Sequence, residues 1–122
     1  MEKDEAAKLV TDRYSSQIIF ATSMRPKSAQ GLSQQCGIPI AACYRRIKAL
    51  EEIGVIEYKE RFLNPRGKWI RLYLSNVKGM EVSFDGGKML VKVSFKDGRT
   101  KKIGAGAGSA ETGLPGSAFD QP

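Results

Sequence analysis

The spacing of apolar residues changes at Gly54, and this change constrains the fold more than any other feature of the sequence. Before Gly54, four apolar residues recur at steps of three and four: Ile40, Cys43, Ile47 and Leu50. This spacing predicts one buried stripe along a helix over about residues 40–53. After Gly54, apolar and polar residues alternate, which predicts β-strands. The chain is therefore expected to combine packed helices with antiparallel hairpins in an α+β fold.

Two further helices are predicted before residue 40. Apolar side chains recur at helical spacing over residues 11–24, and Ser28 is suited to cap a short helix that runs to about Gln35. Gly37 ends that helix, because glycine adopts the left-handed conformation at a helix C-terminus without steric cost. Pro39 suits the first turn of the next helix. The sequence thus predicts two helices joined by a tight glycine turn.

Two hairpins are predicted after Gly54. The first has alternating strands on either side of residues 64–68, a turn that carries Arg66 and Lys68. The second has its turn at Asp85-Gly86-Gly87, with apolar residues at every second position from Met89 to Phe95. Because isolated hairpins are marginally stable, this Met89–Phe95 stripe must be covered. It is covered either by the rest of the chain or by a second protomer.

These elements suggest four segments. Residues 1–10 form a charged N-terminal extension with some helical character, and residues 11–75 form the main domain. Residues 76–103 form a C-terminal β-hairpin and a possible dimerisation element. Residues 104–122 are rich in Gly, Ala and Ser, which predicts a flexible tail.

Composition narrows the range of functions. Twenty Lys and Arg against thirteen Asp and Glu give a net charge of +7, which favours a polyanionic partner such as nucleic acid. The absence of histidine removes the commonest metal ligand and the usual general base. Cys36 and Cys43 are expected to be reduced core thiols, since two sulfurs do not complete a usual metal site. We therefore expect no enzyme, no cofactor and no bound metal.

The cellular location follows from similar arguments. No apolar run reaches the length of about 18 residues that a membrane span needs, and the N-terminus lacks the apolar stretch of a secretory signal. We therefore expect a cytoplasmic protein with no membrane contact.

The outward residues of the predicted helix and hairpin are arranged to contact one duplex. The 40–53 helix is expected to enter the major groove, while the hairpin tip at residues 64–68 reaches the backbone or the minor groove. Small residues permit close approach, and arginines offer donor pairs to guanine or phosphate. The predicted DNA-binding residues are Lys27, Ser28, Ala41, Ala42, Tyr44, Arg45, Arg46, Lys48, Arg61, Arg66 and Lys68.

Other interpretations of these residues stay open. Arg45 and Arg46 could form an ordinary solvated helix face, and Tyr44 could pack instead of contacting phosphate. Trp69, Arg71 and Tyr73 could form an aromatic surface for single strands, although period-two residues of this kind more often serve hairpin packing.

The runs Tyr44-Arg45-Arg46-Ile47 and Leu50-Glu51-Glu52-Ile53-Gly54-Val55, followed by a turn-bearing hairpin, resemble archaeal winged helix-turn-helix regulators of the arsenic-repressor-like superfamily. The resemblance covers roughly residues 11–75. It implies a winged helix with three or four helices and a hairpin wing, here extended by a C-terminal hairpin, that acts as a transcriptional regulator and commonly as a homodimer.

Three departures limit that resemblance. Ala41-Ala42 stands where such regulators often carry Ser or Thr, the cysteine-rich metal motif is absent, and a hairpin replaces the usual dimerising helix. The sequence favours a sequence-specific regulator that binds double-stranded DNA. The alternative is a winged-helix module that binds other proteins within a larger assembly.

Overall fold

The computed structural model of the chain describes residues 3–106, with side chains described from residue 5 to residue 104. In chain order the helices are α1 (Lys3–Thr11), α2 (Arg13–Ala21), α3 (Ala29–Cys36) and α4 (Ile40–Glu52). The strands are β1 (Ile56–Leu63), β2 (Trp69–Ser75), β3 (Val77–Asp85), β4 (Lys88–Phe95) and β5 (Thr100–Gly106). The described residues fall into two compact units, residues 9–77 and residues 3–8 with 78–106.

Helices α2, α3 and α4 pack around the apolar core of the first unit. Ile18, Leu32, Ile47 and Leu50 are fully or almost fully buried there. Helices α2 and α3 each begin at a side-chain cap. The Asp12 carboxylate accepts from the Ser15 N–H at 3.0 Å, and the Ser28 hydroxyl accepts from the Gly31 N–H at 3.0 Å. These caps satisfy backbone donors that the first helical turn leaves without partners.

The connection between α3 and α4 is the predicted glycine turn. Gly37 has a φ of 68°, in the left-handed region, and the following Ile38 is buried. The Ile38 N–H donates to the Ser33 carbonyl at 3.1 Å, and the Ser33 hydroxyl donates back to the Ile38 carbonyl. The turn is therefore held by the buried Ile38 side chain and by two hydrogen bonds that join Ser33 to Ile38 across it.

Strands β1 and β2 form an antiparallel hairpin that is attached to the helices through residue 27. The Lys27 N–H donates to the Tyr73 carbonyl at 2.9 Å, and the Tyr73 N–H donates to the Lys27 carbonyl at 2.8 Å. The segment before α3 thus joins the edge of the hairpin. The protein has four helices, of which α3 and α4 form a helix-turn-helix, and this hairpin forms the wing. The fold is thus an α+β winged helix, as the sequence predicts.

The alternation predicted for β1 is wrong beyond Tyr58. The register shifts between Tyr58 and Glu60, so that Tyr58 pairs with Tyr73 and Arg61 pairs with Arg71. A bulge of this kind inserts one extra residue and turns the following side chains to the opposite face. Tyr58 therefore shares a face with Arg61, and Phe62 lies on the other face.

The C-terminal part of the described chain is a three-stranded sheet in the order β3-β4-β5, whereas the sequence predicts a hairpin. Strand β5 extends to Gly106, so residues 104–106, predicted to begin the flexible tail, pair with β4 instead. Residues 107–122 of that predicted tail lie outside the described residues. The apolar residues that predict a strand stop at Ile103. Gly104 and Ala105 show no alternation of apolar and polar residues, and they continue the strand because they pair with Leu90 and Met89.

The helical character of the N-terminal extension corresponds to helix α1, in which Ala6, Ala7 and Val10 are buried. The Met89–Phe95 stripe is largely covered within the chain itself, because Val91, Val93 and Phe95 are at most 5% exposed. These valines are thus unable to supply the interface between protomers that the sequence left open.

We expect Gly37→Ala to destabilise the fold by about 1 kcal/mol, because a Cβ disfavours the left-handed conformation. No atom lies within 4 Å of the position that a Cβ would occupy, so the cost arises from the backbone alone. Gly37→Asn is the matched variant, since asparagine tolerates this conformation better. Urea unfolding should rank the proteins as wild type, Gly37→Asn and Gly37→Ala in falling stability. Equal stability of the alanine variant and wild type would contradict this prediction.

Candidate nucleic-acid interface

Helix α4 is oriented by four buried residues, Ala42, Cys43, Ile47 and Leu50. The sequence predicts Ile40 in this stripe and Ala42 on the outer face, and both assignments are wrong. Ile40 is 42% exposed, whereas Ala42 is only 7% exposed. Ile40 is the first residue of the helix and follows exposed Pro39. At this end of the helix the stripe extends beyond the core, so Ile40 is exposed to solvent. Ala42 faces inward, so this part of the helix buries a methyl group.

The outer face of α4 presents Ala41, Tyr44, Arg45 and Lys48, all of which are exposed. Their spacing of three and four residues places them on one side of the helix, opposite the buried stripe. Tyr44 is 52% exposed and therefore belongs to the surface. This face combines a small residue in the first turn with a phenol, a guanidinium and an ammonium group.

Arg46 does not belong to that outer face, although the sequence predicts the same role for it as for Arg45. Its side chain is 29% exposed, and its Nε donates to Asp12 Oδ2 at 2.9 Å. Its Nη2 makes a longer contact of 3.4 Å with Asp12 Oδ1, and its guanidinium lies 5.7 Å from the centre of the Tyr14 ring. Arg46 therefore connects α4 to the beginning of α2.

The Asp12–Arg46 pair changes the ionisation of both groups. The hydrogen bond from Arg46 is the main reason that the pKa of Asp12 lies below its usual value, and the Ser15 N–H lowers this pKa further. The same hydrogen bond raises the pKa of Arg46. Asp12 is thus both the cap of α2 and the counter-ion of a residue on α4.

A groove of 310 Å³ lies between the helix-turn-helix and the wing. Ser28 and Gln30 at the start of α3 line one side, Tyr44 lines the α4 side, and Trp69 and Arg71 line the wing side. Of the predicted residues, this groove brings together Ser28, Tyr44 and Lys68. Lys27 lies at its edge through the backbone pairing with Tyr73. Arg66 is exposed in the wing turn and does not line the groove.

The wing carries two arginine–aromatic pairs. The Arg61 guanidinium lies 4.2 Å from the centre of the Trp69 ring, and the Arg71 guanidinium lies 5.2 Å from the centre of the Tyr58 ring. Such stacking is worth roughly 0.5–1 kcal/mol at exposed sites and leaves the N–H edges of arginine available to acceptors. Trp69 is 56% exposed, whereas Tyr73 is buried and paired with Tyr58 at a ring distance of 6.3 Å.

The wing turn is organised by Asn64. Its Oδ1 accepts from the N–H groups of Arg66 and Lys68, both at 2.9 Å, and Gly67 has a φ of 80°. The two basic side chains therefore project from a turn whose backbone is held by the Asn64 side chain. Sequence reasoning placed both side chains at this tip but did not identify the role of Asn64.

Gln30, Trp69 and Arg71 are groove residues that the sequence did not assign to the duplex interface. The sequence allows Trp69 and Arg71 as a surface for single strands, and Arg71 is the partner of predicted Arg61 in the strand register. The register between β1 and β2, including the bulge, is the signal that assigns Trp69 and Arg71 to the same face as Arg61.

Cys43 is buried, and its thiol donates to the Ala29 carbonyl at 3.4 Å, while Cys36 is half-buried. Burial raises the pKa of both thiols, which makes them poor nucleophiles. Within residues 3–106, no group of three or more acidic or cysteine side chains is arranged to hold a metal ion. None of the described helices is long and apolar enough to cross a membrane.

Residues 27–57 match the family model of winged helix-turn-helix DNA-binding domains. The matched segment begins at the Lys27 pairing and includes α3, the Gly37 turn, α4 and the first residues of β1. The fold is thus a winged helix-turn-helix, and its residues 27–57 are similar in sequence to DNA-binding domains of this fold. The search of curated proteins finds no match to the chain.

We expect neighbouring Arg45 and Arg46 to differ in their contribution to stability. Arg46→Ala leaves the half-buried Asp12 carboxylate without its counter-ion, so the free energy of unfolding should fall by about 1 kcal/mol. Arg45→Ala removes an exposed side chain and should change it by less than about 0.5 kcal/mol. Thermal and urea unfolding of the two variants measure this difference. Equal destabilisation by both would contradict the structural role of Arg46.

The Asp12–Arg46 pair should also make stability depend on pH in acid. Because the pKa of Asp12 is lowered in the folded state, its contribution is present above the ordinary carboxyl pKa of about 4 and is lost as pH falls through the lowered value. Asp12→Asn keeps a good helix cap but removes the charge. The stability difference between wild type and Asp12→Asn should therefore shrink as urea unfolding is repeated below about pH 4. A difference that stays constant with pH would argue against the ion pair.

Proposed function

We propose that the protein binds double-stranded DNA in a sequence-specific manner and regulates transcription. The observation that carries this proposal is the exposed α4 face of Ala41, Tyr44, Arg45 and Lys48 beside a wing with basic side chains. The match of residues 27–57 to DNA-binding winged helices supports it. Binding to chromosomal DNA would place the protein in the cytoplasm.

Charge supports a phosphate-rich partner for this unit. Residues 9–77 contain eleven Lys and Arg against five Asp and Glu. Arg46 and Asp12 neutralise each other, so the excess positive charge lies on other side chains. Neutralisation of phosphates by such side chains releases counter-ions, which supplies affinity that is independent of sequence.

The α4 face is the part suited to reading bases. Arg45 lies near the middle of the helix, where a guanidinium reaches the two acceptors of guanine in the major groove. Ala41, in the first turn, is small enough to permit close approach and offers a methyl contact to thymine. Lys48 and Tyr44 flank this pair and are suited to phosphate oxygens. Ala42 and Arg46, which the sequence also assigned to DNA, have other roles, because one is buried and the other is paired.

The wing is suited to the backbone or the minor groove. The guanidinium groups of Arg61 and Arg71 lie over aromatic rings, and Arg66 and Lys68 project from the tip. Phosphate contacts from these groups fix the position of the protein on DNA but carry little sequence information. The closer relation to arsenic-repressor-like regulators and an archaeal origin stay predictions that rest on the sequence motifs alone.

The wing also supports a second candidate function. Phe62, Leu63 and Trp69 are all about half exposed, with values of 47%, 54% and 56%. Exposed aromatic residues on a strand favour contact with another protein. The winged helix would then serve as an interaction module, with the wing in a pocket of its partner. Such a module would bind duplex DNA weakly and without sequence preference.

We expect Arg45→Ala and Lys68→Ala to weaken DNA binding in different ways. After selection of preferred duplexes from a random pool, Arg45→Ala should lose roughly 1–3 kcal/mol on the selected sequence and little on others, because it removes a base contact. Lys68→Ala should weaken binding to all sequences alike and reduce the log–log salt slope by about 1. Fluorescence anisotropy at several salt concentrations measures both effects.

Lys88→Ala is the matched control, because it removes one exposed lysine from the other unit and leaves the proposed interface intact. It should change the affinity much less than either interface variant. If wild-type protein binds no duplex even at low salt, the DNA proposal is wrong and the interaction module becomes the better candidate. Equal losses on all sequences for Arg45→Ala would refute base reading by this residue.

A further inference from the structure

We infer that strand β3 is a pairing edge for a second copy of the chain, so that two three-stranded sheets join into one continuous six-stranded sheet. Strand β3 (Val77–Asp85) lies at one edge of the β3-β4-β5 sheet. Residues 81–85 are all exposed, with Val82 at 47% and Phe84 at 78%. Within residues 3–106, no other strand pairs with this edge, so the described part of the chain leaves it accessible.

The two edges of the sheet differ in how they are protected. Natural proteins protect exposed edges with lysines, prolines, bulges or short strands. Strand β5 carries Lys101 and Lys102 followed by glycines at 104 and 106. Strand β3 has nine residues, no proline and no lysine after Lys78, while Met80, Val82 and Phe84 occupy alternate positions. An edge of this composition favours pairing with another strand.

The turn after β3 determines which backbone groups face the free edge. Gly86 and Gly87 have φ values of 58° and 79° and separate Asp85 from Lys88, as in a two-residue hairpin turn. In such a hairpin the residues next to the turn form a hydrogen-bonded pair, so odd-numbered residues of β3 bond to β4. The N–H and C=O groups of Met80, Val82 and Phe84 therefore point away from the sheet.

One register satisfies these groups in two copies at once. If Val82 lies opposite Val82 of the second copy, Phe84 lies opposite Met80, and each pair exchanges its free N–H and C=O groups. The exposed apolar side chains then lie together on one face. A two-fold axis through Val82 makes the arrangement self-complementary and closed.

Charge selects this register over its neighbours. With Val82 at the axis, Glu81 lies opposite Ser83 and Asp85 opposite Gly79, so no like charges face each other. The adjacent registers of the same hydrogen-bonding pattern place Glu81 opposite Glu81 or opposite Asp85. Like charges directly opposite each other destabilise strand pairing. A second copy of this chain thus fits the edge in one preferred alignment.

A charge exchange across the proposed axis provides the test. Phe84→Lys and Met80→Glu should each raise the dimer dissociation constant of the full chain about tenfold or more, because each places an unpaired charge against an apolar partner. The double variant Met80→Glu/Phe84→Lys should restore the dimer, since each glutamate then faces a lysine of the second copy. Light scattering coupled to size-exclusion chromatography, over a range of concentrations, measures the mass.

Phe20→Lys is the matched control, because it makes the same change as Phe84→Lys at an exposed phenylalanine of helix α2. It should leave the mass unchanged. A monomeric wild type at the highest soluble concentration would overturn the proposal. So would a dimer that the single variants leave intact, or a double variant that stays monomeric while circular dichroism shows it to be folded. The measurement contains no DNA, so it does not depend on whether the protein binds a duplex.

Discussion

The burial of Cys43, Ile47 and Leu50 fixes the rotation of α4, and the proposed DNA-binding surface depends on that rotation. Successive residues of an α-helix point about 100° apart, so a fixed inner stripe determines the outer face. Arg45 and Arg46 show the consequence. One is exposed beside Tyr44, while the other lies at the margin of the core and reaches Asp12 of another helix. Two adjacent residues of the same type thus acquire different roles from the packing of their helix.

Local pattern is enough to predict α4, the turn at Gly37 and the two strands and tip of the wing, because these depend mainly on residues close in sequence. It is not enough to separate Arg45 from Arg46, since the partner of Arg46 lies 34 residues away. The same limit explains the bulge after Tyr58, which becomes visible only in the register with β2. Strand β5 is a further example, because its last residues are glycine and alanine and owe their conformation to pairing with β4.

The wing depends on long-range contacts at its base and on local contacts at its tip. Backbone hydrogen bonds with Lys27 and the burial of Tyr73 attach the base to the helix-turn-helix. Beyond the base, the strands expose both faces, and isolated two-stranded hairpins are marginally stable in water. Stacking of Arg61 on Trp69 and of Arg71 on Tyr58 therefore serves two purposes. It stabilises an otherwise exposed hairpin, and it holds two cations in place before any polyanion binds.

The exposed apolar residues of the wing and of β3 lie in different electrostatic surroundings. On the wing, Trp69 lies beside Arg61 and close to Lys68, so an approaching phosphate would meet positive charge. On β3, Val82 and Phe84 alternate with Glu81 and Asp85, which the hairpin places opposite Lys92 and Lys88. Acidic and basic groups therefore offset each other at this edge, which suits a strand that faces it with Ser83 and Gly79. The proposed DNA contacts and the proposed self-association thus involve different residues.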